Sequence, residues 1–553
     1  MSLVDELRAV VRGEVVADAK MLDAFSRDAS LFRVMPEVVV RPMDAQDICN
    51  VVQLVNKKVE VPKTHISITP RSAGTDMSGG PLGDSVVLDM TAHLNKLVEL
   101  GDDYAVVEPG MYFRDFDKET KKKDLELPSY TASREINTVG GMAANNSGGE
   151  KNLKYGKTAR YVEEMDVVLA DGQVHTLKNL QGDALTQKLA EQSYEGDLYR
   201  KVATLVATHT RIIADATPKV EKNSSGYALW DMGDGKMSLN LARLMVGAQG
   251  TLGVITKIRY RLVHPKPYAA MAVLFVSNLS QLGELVPEVL RYQPDSFESY
   301  DDHTFSIAIK YLPELATQMK SGLLGLGISF LPEIWMALTG GIPKLVLLVE
   351  FRADNQEMAV AQAERLLAEV AHNKSHVSAR IARTEQAARK YWAVRRESFN
   401  LLRKKIRGKR TAPFIDDFVV PPATLPEFLP KLQKIMAEYP QMTYTIAGHV
   451  GDGNFHIIPL VDPTDPTLAK AIDTLSHKVY DLVVEYKGSI SGEHNDGLVR
   501  TPYVEKMFGP AMVALFFEIK KIFDPHNIFN PGKKVGTSFT QALAKLDLPI
   551  VRK

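Results

Sequence analysis

The chain has 553 residues, 45% of them hydrophobic and 24% charged, the composition of a globular protein with a full core and length for two or three domains. Its 67 basic and 67 acidic side chains leave no net charge, so no overall field draws a nucleic acid, and that class of partner has no support. The one cysteine, Cys49, excludes an internal disulfide and a cysteine-ligated iron–sulfur cluster.

Residues 1–29 read as a helical segment, because "SLVDELRAVV" joins a capping serine to apolar residues at helical spacing. Early acidic residues, and no apolar run of signal-peptide length, give the expectation of a cytoplasmic protein. From 30 to 265, strand-length runs rich in Val and Ile ("HISITP", "SVVLDM", "YAVVEPG", "EMDVVLADGQV", "LGVITKIRYRLV") alternate with helical patterns such as "DAQDICNVVQLVNKK" and "DLYRKVATLVATHTRIIAD". This predicts an α+β domain with glycine-rich connections. A boundary falls at "HPKP", 264–267. Beyond it the strand–helix order occurs twice, in "YAAMAVLFVS" with "LSQLGELVPEVLRYQ" and in "KLVLLVEFRAD" with "NQEMAVAQAERLLAEVAHN". Two such units predict a split βαβ layer in a second domain, 266–535, closed by C-terminal helices and followed by a tail, 536–553. Between the units, "SGLLGLGISFLPEIWMALTGGIP", 321–343, carries a single charge and reads as a buried or lid segment, as an interfacial membrane contact or, its length being sufficient although Pro and Gly interrupt it, as a membrane span.

Three loops of small residues border strands: "PRSAGTDMSGG" from Pro70, "NTVGGMAANNSGG" from Asn137 and "GAQGTLGVI" from Gly247. Backbone N–H groups in such loops can approach a phosphate closely. Taken singly each is also an ordinary glycine-rich turn, and none is a Walker or G-x-G-x-x-G motif. Together they can line one groove long enough for an extended dinucleotide. Farther on, "MTYTIAGH" and "NFHIIPLV" read as two strands joined by "VGDG", which brings His449 and His456 to one end of a hairpin. "SGEHNDG" adds Glu493 and His494 from a loop. Two histidines and a carboxylate suit zinc, manganese or iron; histidines near a turn also cap backbone carbonyls. "WAVRRESFN" offers Arg395 and Arg396, either as a solvated helix face or as a carboxylate clamp.

The three loops, in this order and spacing, with "GHVGDGNFH" and "GEH", resemble flavoproteins of the vanillyl-alcohol-oxidase type (PCMH-type FAD domain). Within that type they resemble the D-2-hydroxyacid dehydrogenases, which include D-lactate dehydrogenase, the glycolate oxidase FAD subunit and D-2-hydroxyglutarate dehydrogenase. The resemblance covers about residues 30–535. It implies a PCMH-type FAD-binding domain, 30–265, followed by a substrate or cap domain. In such a domain Arg71, Ser72, Ala73, Gly74, Thr75, Asp76, Ser78 and Gly79 would wrap the FAD pyrophosphate. Thr138, Gly140, Gly141, Asn145, Ser147, Gly148 and Gly149, with Tyr155, would line the flavin and its chain. Lys222–Tyr227 with Gly250, Thr251, Gly253, Val254 and Ile255 would complete the site. Some relatives bond the flavin through a histidine where this chain has Thr75, so the expected FAD is non-covalent. Asp76 replaces a usual glycine and is expected to point away from the phosphates; Gln249 replaces a common glutamate, and Asn495 a usual glycine.

The resemblance also implies that His449, His456 and Glu493 hold a divalent metal ion, zinc or manganese, with His494 as acid–base group and Arg395 as carboxylate clamp. Asp417, the best match to the family's strand aspartate, would shape the site. The implied reaction is FAD-dependent oxidation of a small D-2-hydroxy acid, D-lactate or similar, to the 2-oxo acid by hydride transfer to flavin N5. With no internal iron–sulfur relay, electrons are expected to pass to an external acceptor: a quinone, a cytochrome, a separate iron–sulfur subunit or oxygen. The stretch 321–343 would provide peripheral contact with the inner face of a membrane. Two alternatives are a flavin-binding subunit of a multiprotein dehydrogenase and an alkyl-dihydroxyacetonephosphate synthase-like enzyme, although the latter's run of three histidines is missing here.

Overall fold

The structure, a computed structural model, describes residues 2–61, 65–310, 341–373, 377–405 and 408–548. Nearly all of the apolar stretch 321–343 therefore lies outside the described residues. Among the described residues no helix is long and apolar enough to cross a membrane.

The first helix, Leu3–Val10, starts at a reciprocal cap in which Ser2 and Asp5 satisfy each other's backbone N–H. The segment is not helical throughout. Glu14–Val16 is a strand that pairs with Val38–Arg41, and it ties residues 1–29 into the first sheet. Three residues are too few for a period-2 pattern to register. That sheet has the order Glu14–Val16, Val38–Arg41, Val86–Asp89, Ile68–Arg71, with its last three strands parallel. Parallel neighbours need a crossover, and helix Ala45–Val59 supplies it. Asp44 caps its first turn, and Ile48, Cys49, Val51, Val52 and Val55 form its buried face.

A six-stranded antiparallel sheet follows, in the order Leu97–Leu100, Tyr104–Val107, Val254–Arg261, Val162–Val168, Val174–Gln181, Ser238–Asn240. The run "EMDVVLADGQV" splits into a hairpin turning at Gly172, whose φ of 70° is in the left-handed region. "DLYRKVATLVATHTRIIAD" likewise divides at His209 into helices Tyr194–Thr208 and Thr210–Ala216.

The third sheet has seven strands in the order Val377–Ala382, Tyr268–Val276, Leu345–Ala353, Ser296–Asp301, Ile446–His449, Asn454–Ile457, Phe418–Val419. Its first four strands form the split βαβ layer, with helices Leu282–Leu290 and Gln356–Asn373 as the crossovers. Along Tyr268–Val276, Met271, Val273 and Phe275 enter one core cluster while Ala270, Ala272, Leu274 and Val276 enter another. The strand is covered on both faces, so its sequence is apolar without alternation. The chain then returns to the first domain. Helix Val504–Phe523, kinked where Gly509 has φ 77° ahead of Pro510, packs on Tyr194–Thr208 and Thr210–Ala216. Lys520 donates to the carbonyls of Thr251 and Phe529, and Phe32 bridges to Leu546. Helix Val504–Phe523 and the segment after it thus lie on the domain that opens the chain, not on the split βαβ layer.

Candidate active site

The three small-residue loops wall a cleft of about 360 Å³ between the first domain and the third sheet. Arg71, Ser72, Ala73, Gly74, Thr75 and Asp76 line it from the first loop, and Thr138, Gly140, Gly141, Asn145, Ser147, Gly148 and Gly149 from the second; Gly250, Gly253 and Ile255 line it from the third. Glycine is needed where another segment comes too close to leave room for a Cβ. A Cβ on Gly149 would sit 2.1 Å from the carbonyl oxygen of Tyr130, and one on Gly250, where φ is 68°, would sit 2.4 Å from Pro70 Cγ.

Ser78, Gly79, Tyr155, Thr251, Val254 and the stretch Lys222–Tyr227, all expected in this lining, lie elsewhere. Ser78 and Gly79 turn inward: Ser78 donates to Asp76, and the N–H of Gly79 donates to Asp28. Thr251 is buried between Tyr227 and the carbonyl of Ala248, Val254 belongs to a core cluster, and the Tyr155 carbonyl accepts from Tyr161. The Arg71 guanidinium is spent on the carbonyls of Phe25 and Arg27.

The Asp76 carboxylate faces its own loop. It accepts from the N–H groups of Ser78 and Gly80, from the Ser78 hydroxyl and from Asn145 Nδ2. The Gln249 amide donates to two of the same partners, Ser78 Oγ and Asn145 Oδ1. A glutamate at 249 would set a second carboxylate against this network, so the two departures from the family pattern meet and suit each other. The cleft fits an extended dinucleotide: its walls are main chain and small side chains, and the acid among them is already hydrogen-bonded inward.

At the other end of the cleft a hairpin carries the histidines. Ala447 pairs with His456 and His449 with Asn454, so His449, two residues beyond Ala447, lies on the same face as His456. The hairpin turns through Val450–Asp452 to Gly453, where φ is 68° and a Cβ would sit 1.8 Å from the Val420 carbonyl oxygen. Glu493 reaches the pair from its loop, with Oε1 3.0 Å from His449 Nε2 and Oε2 4.0 Å from His456 Nε2. His449, His456 and Glu493 offer ligand atoms within 4.8 Å of one another, and all three line the cleft. Two other groups, Asp416 with His456 and His494, and Asp417 with Glu493 and His494, meet the same spacing. Their aspartates lie behind the wall and do not line the cleft.

The Asp417 carboxylate accepts from the N–H groups of Glu493 and His494 and from the hydroxyl of Ser491, so it sets the loop that carries Glu493. Asn495 adopts φ 67° and is held by Gly247, Asn145 and Lys534, which is how it stands in for a glycine. Arg395 and Arg396 come from helix Glu385–Lys405. Arg395 lines the cleft and pairs with Glu298 at 3.3 Å, whereas Arg396 is taken up by Glu150 and stacks over Trp392.

Three further groups matter here, none of them given a place at this end of the cleft by sequence reasoning. Glu298, in the fully buried strand Ser296–Asp301, accepts from His449 Nδ1 as well as pairing with Arg395. Asp416 is fully buried; its Oδ1 lies 3.3 Å from His456 Nδ1 and its Oδ2 lies 2.9 Å from His494 Nδ1. Lys222, from the "KNSSGY" stretch, is fully buried beneath the wall, where it pairs with Glu493 and stands 3.8 Å from Asp452. The paired acids in "DDFVVPP" are the only sequence signal for Asp416.

These charges tune one another. Burial pulls His494 down, but Asp417 and Asp416 outweigh it and push the ring up to about 9. His449 also rises to about 9, because Glu298 overrides burial. Burial raises Glu493, yet Lys222 and His449 hold its carboxylate well below the usual range.

Residues 36–178 match the family "FAD binding domain", and residues 266–534 match "FAD linked oxidases, C-terminal domain". The chain is 28% identical to the D-2-hydroxyglutarate dehydrogenase of Pseudomonas putida over 94% of its own length and 50% of that protein's. It spans about half the length of this relative and of three further bacterial proteins of that name. It is 27% identical to the D-lactate dehydrogenase of Archaeoglobus fulgidus, over 97% of this chain and 99% of that one. Among solved structures, p-cresol methylhydroxylase superposes with a TM-score of 0.67 at 17% identity, over 97% of this chain and 96% of the other, a likeness of fold.

Proposed function

This chain belongs to the FAD-linked oxidases, and on that premise we propose that it oxidises a D-2-hydroxy acid to the 2-oxo acid with non-covalently bound FAD and a divalent metal ion. One observation carries the reading: His494, Arg395 and the set His449, His456, Glu493 converge on the cleft that the three glycine loops wall. D-Lactate and D-2-hydroxyglutarate, the substrates in the relatives' names, are the first candidates.

Arg395 binds the substrate carboxylate through its guanidinium, oriented by Glu298. The hydroxyl then lies toward the hairpin. His494 has its Nδ1 on Asp416, which leaves Nε2 to take the hydroxyl proton. His449 and His456 offer Nε2, and Glu493 a carboxylate oxygen, as metal ligands. The ion, zinc or manganese, would supply Lewis-acid polarisation of the hydroxyl and would disfavour a proton on the neighbouring His494. FAD would supply the hydride acceptor, and the three loops are the residues that would hold it. The one cysteine among these residues, buried Cys49, cannot hold a cluster, so electrons leave these 553 residues for a quinone, a cytochrome or an iron–sulfur centre outside them.

The test is dye reduction with a panel of 2-hydroxy acids, followed by acid denaturation. We expect at least one D-acid to reduce the dye and the yellow colour to separate from the polypeptide. A panel with no active acid would refute the reaction, and colour that stays with the denatured chain would refute non-covalent FAD.

A further inference from the structure

Each of the three histidines turns Nδ1 to a buried carboxylate. His449 faces Glu298, while His456 and His494 share Asp416. The two sharing rings are stacked, with centroids 5.3 Å apart and planes inclined by 27°, so that one buried carboxylate reaches both Nδ1 atoms.

We propose that Asp416 is a positioning residue that fixes the tautomer of His456 and His494 together, and so prepares one as metal ligand and the other as base. This rests on the function proposed above. A carboxylate only accepts hydrogen bonds, so a ring nitrogen facing it carries the proton, and in the neutral ring, the form that a neighbouring cation favours, the other nitrogen keeps its lone pair. With Oδ1 holding the proton on His456 Nδ1, His456 Nε2 is free to bind an ion. His494 Nδ1 lies 2.9 Å from Oδ2 as an ion-pair contact without hydrogen-bond alignment, and there the carboxylate charge favours the proton on Nδ1 and leaves His494 Nε2 to take the substrate's proton. The position suits this work: the Asp416 side chain is completely shielded from water, it does not line the cleft, and both histidines do.

This role separates two substitutions that a merely structural role would not. Asparagine keeps the shape but offers one acceptor and one donor. It can support one histidine as aspartate does, but its amide N–H forces the other to protonate on Nε2. Alanine removes the partner and leaves each ring free to choose.

The experiment measures FAD content, zinc or manganese affinity by competition with a coloured chelator, and the anaerobic rate of flavin reduction. Asp416→Asn, Asp416→Ala, His449→Ala and His494→Ala are compared with the parent. Asp416→Ala is expected to keep FAD and to lose about 10–100-fold in ion affinity and in rate, the usual effect of removing an outer partner of a ligand. Asp416→Asn is expected to lose more than alanine, and mainly in one of the two readouts, according to which histidine is turned. An asparagine variant unchanged in both, or equal to alanine in both, would overturn the proposal. So would loss of the ion in Asp416→Ala while His449→Ala retains it, since Asp416 would then be a ligand. If His449→Ala keeps its ion and His494→Ala keeps its rate, the functional reading itself fails, independently of Asp416.

Discussion

Replacing His494 with alanine is expected to lower the rate of flavin reduction by about 10²–10⁴-fold, the range for loss of a positioned general base. FAD stays bound, because His494 is contributed by the metal-site end of the cleft and not by the three glycine loops. The size of the loss follows from geometry. Arg395 and the hairpin fix the acid, and no other described side chain at that end combines a ring nitrogen facing the cleft with a carboxylate-anchored Nδ1, except His449 and His456, which are taken as metal ligands. Stopped-flow mixing of the yellow protein with substrate under anaerobic conditions gives this rate. A His494→Ala variant that bleaches as fast as the parent would remove His494 from the chemistry.

Stripping the proposed divalent ion with a chelator is expected to stop turnover and to leave the flavin in place. The donor set His449 Nε2, His456 Nε2 and a Glu493 oxygen faces the cleft, and Lys222 and Asp417 hold Glu493 from behind. His449→Ala should cost at least the ~10–100-fold seen when only an outer partner of a ligand is lost. Zinc or manganese added to the stripped parent should restore activity, and added to His449→Ala should not. Elemental analysis of fully active protein that finds no stoichiometric ion would contradict the metal role.

The parts of this site that were legible in the sequence are those in which local geometry dictates residue type. Glycines at Gly149, Gly250 and Gly453 answer contacts or φ values that admit little else, and so they stand out in the chain. The hairpin was readable because period-2 alternation runs on both sides of its turn. The carboxylates that orient the histidines were not readable. Glu298 lies 151 positions from His449 and Asp416 lies 40 from His456, so only the folded third sheet brings them together. A glutamate in "SFESYD" looks like an exposed residue, yet all six positions of that strand are buried. Ser78, Gly79 and Val254 share the look of lining residues, but they face the interior: Ser78 and Gly79 bond to Asp76 and Asp28, and Val254 opens a strand that packs into a core cluster. Lys222 belongs to a stretch read as flavin lining, yet its long side chain carries the charge under the wall to Glu493.

The most direct test of the account is anaerobic bleaching of the flavin by matched D and L enantiomers of 2-hydroxy acids, beginning with lactate and 2-hydroxyglutarate. In the proposed reaction Arg395, the hairpin histidines and the loops that would hold the flavin fix three points around the substrate carbon, so only one enantiomer would present its α-hydrogen to the flavin. The account predicts that the D form of at least one acid bleaches the bound flavin, that its L form does not, and that the ion-stripped protein bleaches with neither. Bleaching by both forms alike, or by none of the acids in a protein whose flavin dithionite still reduces, would contradict it.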